Sequence, residues 1–184
     1  MELIQSIDTN ILLFIQEHLR CGFINAVMIF CSAIGTAGIL WITTGIAMIV
    51  TKKYRRTGIL LFVCLAATWV LNDLAVKNLV QRPRPYLSIP ELRVLVPLQT
   101  DFSFPSGHTS TSFACAFVLT RLGGRRWAWV YIVAGMIAVS RLFVGVHYPA
   151  DVLAGAIFGA LSAAVVVVLA RRLPIFKNGS ENSQ

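Results

Sequence analysis

Charged residues are scarce in this 184-residue chain, at 13% of the sequence. Soluble domains carry about 25% charged residues, so this composition excludes an ordinary soluble domain. Hydrophobic residues reach 57%, and the mean hydropathy is +0.73. The length corresponds to one domain. We therefore expect a single all-α membrane domain over residues 1–184, built as a polytopic helical bundle.

Acidic residues are particularly few. The 8 Asp and Glu stand against 16 Lys and Arg, which gives a net charge of +8. Nucleic-acid-binding proteins are also basic, but their basic residues cluster on one face or along a stripe. Here the basic residues cluster at the ends of apolar segments, as they do in membrane proteins. We expect a lipid bilayer, and no nucleic acid, as the partner.

Cysteine is also sparse, and the four present have neither paired nor metal-ligand spacing. They are Cys21, Cys31, Cys64 and Cys115. Three of them lie inside apolar segments, where a thiol is usually a small buried hydrophobe. We therefore predict no disulfide, no metal site and no cofactor. The N-terminus has no basic stretch ahead of an apolar one, so no cleavable signal peptide is expected.

Five apolar segments have the composition of membrane spans. They cover residues 24–50, 58–80, 107–122, 127–146 and 150–170. The amphipathic segment 4–19 is too short and polar to span, which predicts an interfacial helix. Prolines exclude a continuous helix over residues 81–105. Gly35 and Gly38 predict a kink in the first span, and the polar tail 171–184 is expected in the cytoplasm.

The distribution of Lys and Arg predicts the orientation of these spans. With five spans, the clusters at 52–56, 121–126 and 171–177 fall on one side and hold 4, 3 and 3 of the 16 basic residues, ten in all. The other six fall on the opposite side. Because basic loops stay inside, the side with ten faces the cytoplasm of a cytoplasmic, or inner, membrane.

Three short stretches carry the residues capable of chemistry. They are Lys77 to Arg84-Pro85, Pro105-Ser106-Gly107-His108, and Ser140-Arg141 followed by His147 and Asp151. A charge at the middle of a bilayer costs at least about 2.5–3.5 kcal/mol, so charges retained in apolar surroundings indicate a functional site. The predicted threading brings all three stretches to the outer face.

His147 and Asp151 are four residues apart, about one helical turn. A carboxylate bonded to one imidazole nitrogen fixes the tautomer and leaves the other nitrogen free for nucleophilic attack. The alternative is a pair that only caps a helix. Ser106 is predicted to cap the next helix, Gly107 to let the backbone approach an anion, and His108 to act as a general acid. A plain serine cap beside an interfacial histidine is the alternative there.

The cations Lys77, Arg84 and Arg141 are candidates to hold phosphate oxygens during phosphoryl transfer. The alternative for any one of them is snorkelling to the headgroups, which we expect for Arg82 and Arg93. Arg82 also precedes a proline, so Arg84 is not the only candidate in its stretch. Asp73 lies one turn before Lys77 and either orients or neutralises it.

In residue types and spacing, these stretches resemble the type 2 phosphatidic acid phosphatase superfamily of membrane phosphatases. Its pattern is Lys-x6-Arg-Pro, Pro-Ser-Gly-His and Ser-Arg-x5-His-x3-Asp, and the chain matches it without departure from Lys77 to Asp151. The helical layout extends the resemblance over residues 24–170. Many bacterial members have six spans, whereas this sequence predicts five and an interfacial helix.

The resemblance implies a metal-independent lipid phosphatase with the helical core of soluble acid phosphatases and vanadium haloperoxidases. It implies that His147 is the nucleophile that forms a phosphohistidine, with Asp151 as its partner and His108 as the acid. The implied phosphate-binding residues are Lys77, Arg84, Ser106, Gly107 and Arg141. Undecaprenyl diphosphate is the expected substrate. Phosphatidylglycerophosphate, phosphatidate, a lipid A phosphate and transfer to another lipid remain open, and a non-catalytic lipid binder or transporter is the third class.

Overall fold

The computed structural model describes residues 2–172, which form helices and turns without a β-strand. The α-helices are α1 (Glu2–Phe14), α2 (Gly22–Gly35), α3 (Ile39–Val50), α4 (Arg55–Trp69), α5 (Lys77–Val80), α6 (Pro85–Ser88), α7 (Gly107–Gly123), α8 (Val130–Phe143) and α9 (Pro149–Ala170). The prediction of an all-α membrane bundle is therefore confirmed. The predicted tail lies outside the described residues, apart from Arg171 and Arg172.

Helix α1 extends through a π-helical turn, Ile15–Leu19, so the helix predicted over 4–19 begins two residues earlier. Its apolar face is split between two environments. Leu12 packs with Ile89, Leu92 and Tyr148 in a small cluster. Leu3, Ile4 and Ile7 are exposed, as expected for side chains that meet lipid at an interface.

The predicted kink separates α2 from α3. Ala37 and Gly38 both have positive φ, at 49° and 68°, which breaks the helix at a 3₁₀ turn, Thr36–Gly38. Helix α4 begins at Arg55, three residues before the predicted start at residue 58. It continues through a π-helical stretch, Val70–Val76, into α5. Such stretches are rare and often lie at functional sites.

Helix α7 is the centre of the bundle and packs against α4, α8 and α9. Its contact with α9 is close because α9 carries two glycines four residues apart. A methyl group at Gly159 would lie 2.1 Å from the Ser110 carbonyl oxygen, and one at Gly155 would lie 2.8 Å from that of Ser106. Small residues at this spacing bring membrane helices together. They place the start of α9 beside the start of α7.

Four helical stretches within the described residues are long and apolar enough to cross a membrane. They are Gly22–Val50, Arg55–Ser88, Arg125–Phe143 and Pro149–Ala170. Helix α7, the third of the five predicted spans, has 17 residues and a buried interior. The span predicted over 127–146 is shorter than expected, because its last residues form a turn in which Gly145 has a φ of 80°. This turn lets the chain reverse just ahead of His147.

Candidate active site

A groove of about 600 Å³ opens between the α2–α3 break, α4 and the start of α7. One end is polar and receives Lys77, Arg84, Gly107, His108 and His147, together with Asp73 and Asp101. The other end is apolar and is lined by Ile42, Phe62, Leu65, Ala66 and Trp69. Six of the predicted site residues, Asp73 included, thus share one cavity. Ser106, Arg141 and Asp151 are buried beside it.

The helix ends explain why these residues meet. Lys77 opens α5, Gly107 opens α7, Arg141 lies in the last turn of α8, and Asp151 lies in the first turn of α9. The basic loops lie at the opposite end of the bundle. Arg126 donates a hydrogen bond to the Tyr54 hydroxyl at 2.8 Å, which joins two of those loops.

Lys77 and Arg84 are bridged by a carboxylate that the sequence analysis did not single out, that of Asp101. Lys77 Nζ contacts Asp101 Oδ2 and also Asp73 Oδ1 at 2.6 Å, while Arg84 Nη2 donates to Asp101 Oδ1 at 2.6 Å. Burial opposes ionisation of Asp101, but the two cations outweigh it and lower its pKa to about 2. The available signal was that Asp101 is the single acid between Leu92 and Ala150.

His147 is 1% exposed, and its two ring nitrogens face different groups. Nε2 lies 3.3 Å from Arg84 Nη1 at the groove. Nδ1 lies 3.6 Å from Asp151 Oδ2, slightly beyond hydrogen-bonding distance. Burial lowers the His147 pKa to about 4, and the charges of Arg84 and Arg141 add to this effect against the opposing contribution of Asp151. The imidazole is therefore neutral at pH 7 and can act as a nucleophile.

The Asp151 carboxylate is fully buried and has three donors besides His147. Oδ2 accepts from the Ser103 hydroxyl and from the Tyr148 backbone N–H, the latter at 2.9 Å. Oδ1 accepts from Arg82 Nη1 at 2.7 Å. The capping contact considered as an alternative is thus present, and the same carboxylate also faces His147. The expectation that Arg82 snorkels is wrong, because its guanidinium turns inward to this carboxylate.

The start of α7 differs from the prediction in one respect. Ser106 occupies the cap position, but its hydroxyl accepts a hydrogen bond from Thr109 Oγ1 at 3.0 Å and does not cap a backbone N–H. The backbone N–H groups at this helix start remain available to an anion. His108 lies in the groove, with Nε2 3.4 Å from Thr36 Oγ1 in the α2–α3 break.

Arg141 is a buried cation with few partners. It is 1% exposed, and one Nη donates to the Ser32 hydroxyl. Its Nε and other Nη have no hydrogen-bond partner. A buried guanidinium with unused donors needs an anion. Together with Lys77 and Arg84 it places three cations around the groove-facing Nε2 of a neutral histidine, against the two carboxylates of Asp73 and Asp101.

Comparisons with known proteins agree with this geometry. The model of the PAP2 superfamily matches residues 56–174. The chain belongs to the PAP2 superfamily.

Two curated PAP2-like relatives illustrate the range of substrates. The undecaprenyl-diphosphatase of Sulfolobus acidocaldarius is 31% identical over 94% of this chain and 84% of its own length. The lipid A 4'-phosphatase of Bacteroides thetaiotaomicron is 28% identical over 94% of this chain and 81% of its own.

A solved structure matches over nearly the whole chain. The PAP2-type phosphatidylglycerolphosphate phosphatase from Bacillus subtilis has a TM-score of 0.74 and 26% identity, covering 96% of this chain and 90% of that one. The protein is thus a multi-pass membrane phosphatase of lipid phosphates.

Proposed function

We propose that this PAP2 phosphatase hydrolyses undecaprenyl diphosphate at the outer face of the cytoplasmic membrane through a phosphohistidine on His147. The single observation that carries the mechanism is the position of His147 Nε2. This nitrogen faces the groove beside Arg84, while Nδ1 faces Asp151. A neutral imidazole in that orientation has its free electron pair at the cationic pocket.

In the first step, Nε2 forms a bond to the terminal phosphorus while the bridging P–O bond breaks. His108, which shares the groove, takes up a proton as the anionic substrate enters among the cations and donates it to the departing lipid phosphate. Water then attacks the phosphohistidine and passes a proton to His108, which releases inorganic phosphate. Lys77, Arg84 and Arg141 hold the equatorial oxygens, and the backbone N–H groups that follow Ser106, beginning with that of Gly107, add donors, while the Ser106 N–H donates to the Asp151 carbonyl oxygen at 3.1 Å. Asp73 fixes Lys77 at 2.6 Å.

The shape of the groove supports a lipid with a long apolar chain. Its polar end holds the cations, and its apolar wall runs along α3 and α4 past Ile42 and Phe62 to Leu65. A lipid chain along this wall stays in surroundings as apolar as the bilayer, while its headgroup reaches the cations. The similarity to an undecaprenyl-diphosphatase over 94% of this chain supports a polyprenyl substrate.

A panel of lipid phosphates tests the substrate. The purified enzyme in detergent is given undecaprenyl diphosphate, phosphatidylglycerophosphate, phosphatidate and a lipid A phosphate, and free phosphate is measured. We expect the highest kcat/KM with undecaprenyl diphosphate and no loss in EDTA, because protein cations supply the charge stabilisation. A higher kcat/KM with another lipid of the panel would show that this lipid, and not undecaprenyl diphosphate, is the preferred substrate. Phosphate found on a second lipid, and not free, would indicate a phosphotransferase.

Orientation decides which lipid pool the enzyme meets. The excess of Lys and Arg at the end of the bundle remote from the site supports an outward-facing site. After removal of the native cysteines, a cysteine placed within residues 86–100 should react with an impermeant thiol reagent in intact cells. A C-terminal reporter should report the cytoplasm. Labelling only after lysis would invert the topology and favour a lipid of the inner leaflet.

A further inference from the structure

Helix α1 contributes one buried carboxylate to the bundle, that of Asp8. Its side chain is 3% exposed, whereas Ser6 and Asn10 on the same helix are exposed. Asp8 Oδ2 lies 2.7 Å from Arg82 Nη2, and Oδ1 accepts from the Ala150 backbone N–H at 3.0 Å. An ionised carboxylate is costly to bury unless it is paired, so the ion pair with Arg82 is what allows Asp8 to be buried.

Arg82 joins Asp8 to the carboxylate behind His147. Its Nη1 lies 2.7 Å from Asp151 Oδ1, and its Nη2 also donates to Gln5 Oε1 at 2.7 Å. The guanidinium carbon lies 3.9 Å from the centre of the Tyr148 ring, so the group is stacked as well as hydrogen bonded. Arg82 does not line the substrate groove, which is lined by Arg84 instead.

We propose that Arg82, held in place by Asp8, is a positioning residue that orients Asp151 toward His147, so that the N-terminal helix is part of the support of the active site. This inference rests on the proposed role of His147 as nucleophile. Ser103 and Tyr148 bind only Oδ2 of Asp151, whereas Arg82 binds Oδ1. Without Arg82 the carboxylate has no partner on one oxygen and can rotate away from Nδ1 of His147.

The timing of charge in the reaction gives this contact its importance. When Nε2 attacks phosphorus, the imidazole becomes positively charged, and Asp151 must face it at that moment. A misoriented carboxylate weakens the transition state more than the bound substrate, because the positive charge develops only during the reaction. Loss of the contact should therefore lower kcat and leave KM nearly unchanged.

The test uses the full-length enzyme in detergent with Arg82→Met, Arg82→Lys, Asp8→Asn and the Arg82→Met/Asp8→Asn double variant. In metalloenzymes, removal of the group that hydrogen-bonds to a metal-binding side chain lowers activity by about 10–100-fold, and we use this range as a guide for Arg82. We expect kcat to fall about 100-fold for Arg82→Met and about tenfold for Asp8→Asn, with KM within about threefold. Arg82→Lys should recover part of the loss, and the double variant should be no slower than Arg82→Met, since Asp8 acts through Arg82.

Two control variants remove the same kinds of charged group at exposed positions away from Arg82 and Asp8. Glu17→Gln removes an exposed carboxylate from the same N-terminal segment, and Arg93→Met removes an exposed cation from the same connection as Arg82. Both should keep the wild-type kcat. If Arg82→Met does not fold, Arg82→Lys and Asp8→Asn decide the matter, since both retain volume and hydrogen-bonding capacity.

His147→Ala, measured in parallel, separates the two ideas. An inactive His147→Ala together with unchanged kcat in Asp8→Asn and Arg82→Lys would overturn only the positioning role. Multiplicative losses in the double variant, or a rise in KM without a fall in kcat, would also overturn it. An active His147→Ala would overturn both the proposed function and this inference, because Asp151 would then have no nucleophile to orient.

Discussion

The His147 ring has an arginine–carboxylate pair on each side. Arg84 and Asp101 lie beside Nε2, on what we call the groove face, and Arg82 and Asp151 lie beside Nδ1, on the opposite face. The two carboxylates differ in exposure. On the groove face, Asp101 binds Lys77 and Arg84 with its side chain 49% exposed. On the opposite face, the Asp151 side chain is 0% exposed and binds Arg82, which is 17% exposed. The ionic contacts are similar in kind and length. What differs is the access of water and of other anions.

Exposure determines which pair can be exchanged for substrate. The Lys77 and Arg84 side chains are buried and need an anion in the groove, whereas the half-exposed Asp101 carboxylate can turn to water when a phosphate takes its place. Removing one partner of a buried pair costs about 3–5 kcal/mol, so the contact behind His147 is expected to stay intact through the reaction. The groove face is therefore a replaceable anion site, and the opposite face is a fixed support.

The largest effect should come from removing the His147 ring, which lies between the groove face and the opposite face. His147→Ala should lower kcat by at least about 1,000-fold, because it removes the nitrogen that forms the covalent intermediate, and His108 has no carboxylate partner among the described residues. Asp151→Asn should retain measurable turnover, because the imidazole persists with poorer orientation. Phosphate release by purified protein measures both. Near-normal turnover by His147→Ala would disprove the covalent mechanism.

A smaller effect should appear in the pH profile of kcat/KM, which reports ionisations of the free enzyme. Protonated His147 has no electron pair for attack, so activity should fall as the pH drops through its pKa. Because burial and the cations of the groove face lower that pKa to about 4, the acid limb should lie near pH 4. An exposed histidine would place it at about 6.5. An acid limb near 6.5 that stays in place with a substrate of different phosphate pKa would show that the nucleophile is not the buried ring.

The smallest effect should come from Asp101→Asn, which tests whether the groove face is replaceable. Removing the competing carboxylate should lower KM and tighten inhibition by orthovanadate or inorganic phosphate. The expected change is about 2–5-fold, because the half-exposed Asp101 competes only weakly with an anion. The matched control is Glu91→Gln, an exposed acid on the same connection. A loss of kcat with no gain in anion affinity would instead make Asp101 part of the fixed support.

The motif residues could be predicted because their types and spacing are local. His147 and Asp151 are one turn apart, and the Pro-Ser-Gly-His stretch precedes a helix whatever surrounds it. Ser103 and Asp101 could not be assigned, since their partners lie 48 and 24 residues away in the chain. Arg82 was misjudged for the same reason. Its sequence neighbours suggest a headgroup contact, but its partners come from α1 and α9.

The sequence by itself determined the membrane bundle, the one end at which the motifs meet and the candidate residues for a phosphate site. The length of an apolar segment, the charge of a loop and the spacing of a motif depend on residues close together in the chain, so they can be predicted from the sequence. Only the tertiary structure decided which arginine lines the groove and which faces Asp151. Arg82 and Arg84 are separated by one proline, and helix packing sends their guanidinium groups to opposite sides of His147. That choice depends on Asp8 and Asp101, which lie far apart in the chain and which the fold brings to the two sides of His147.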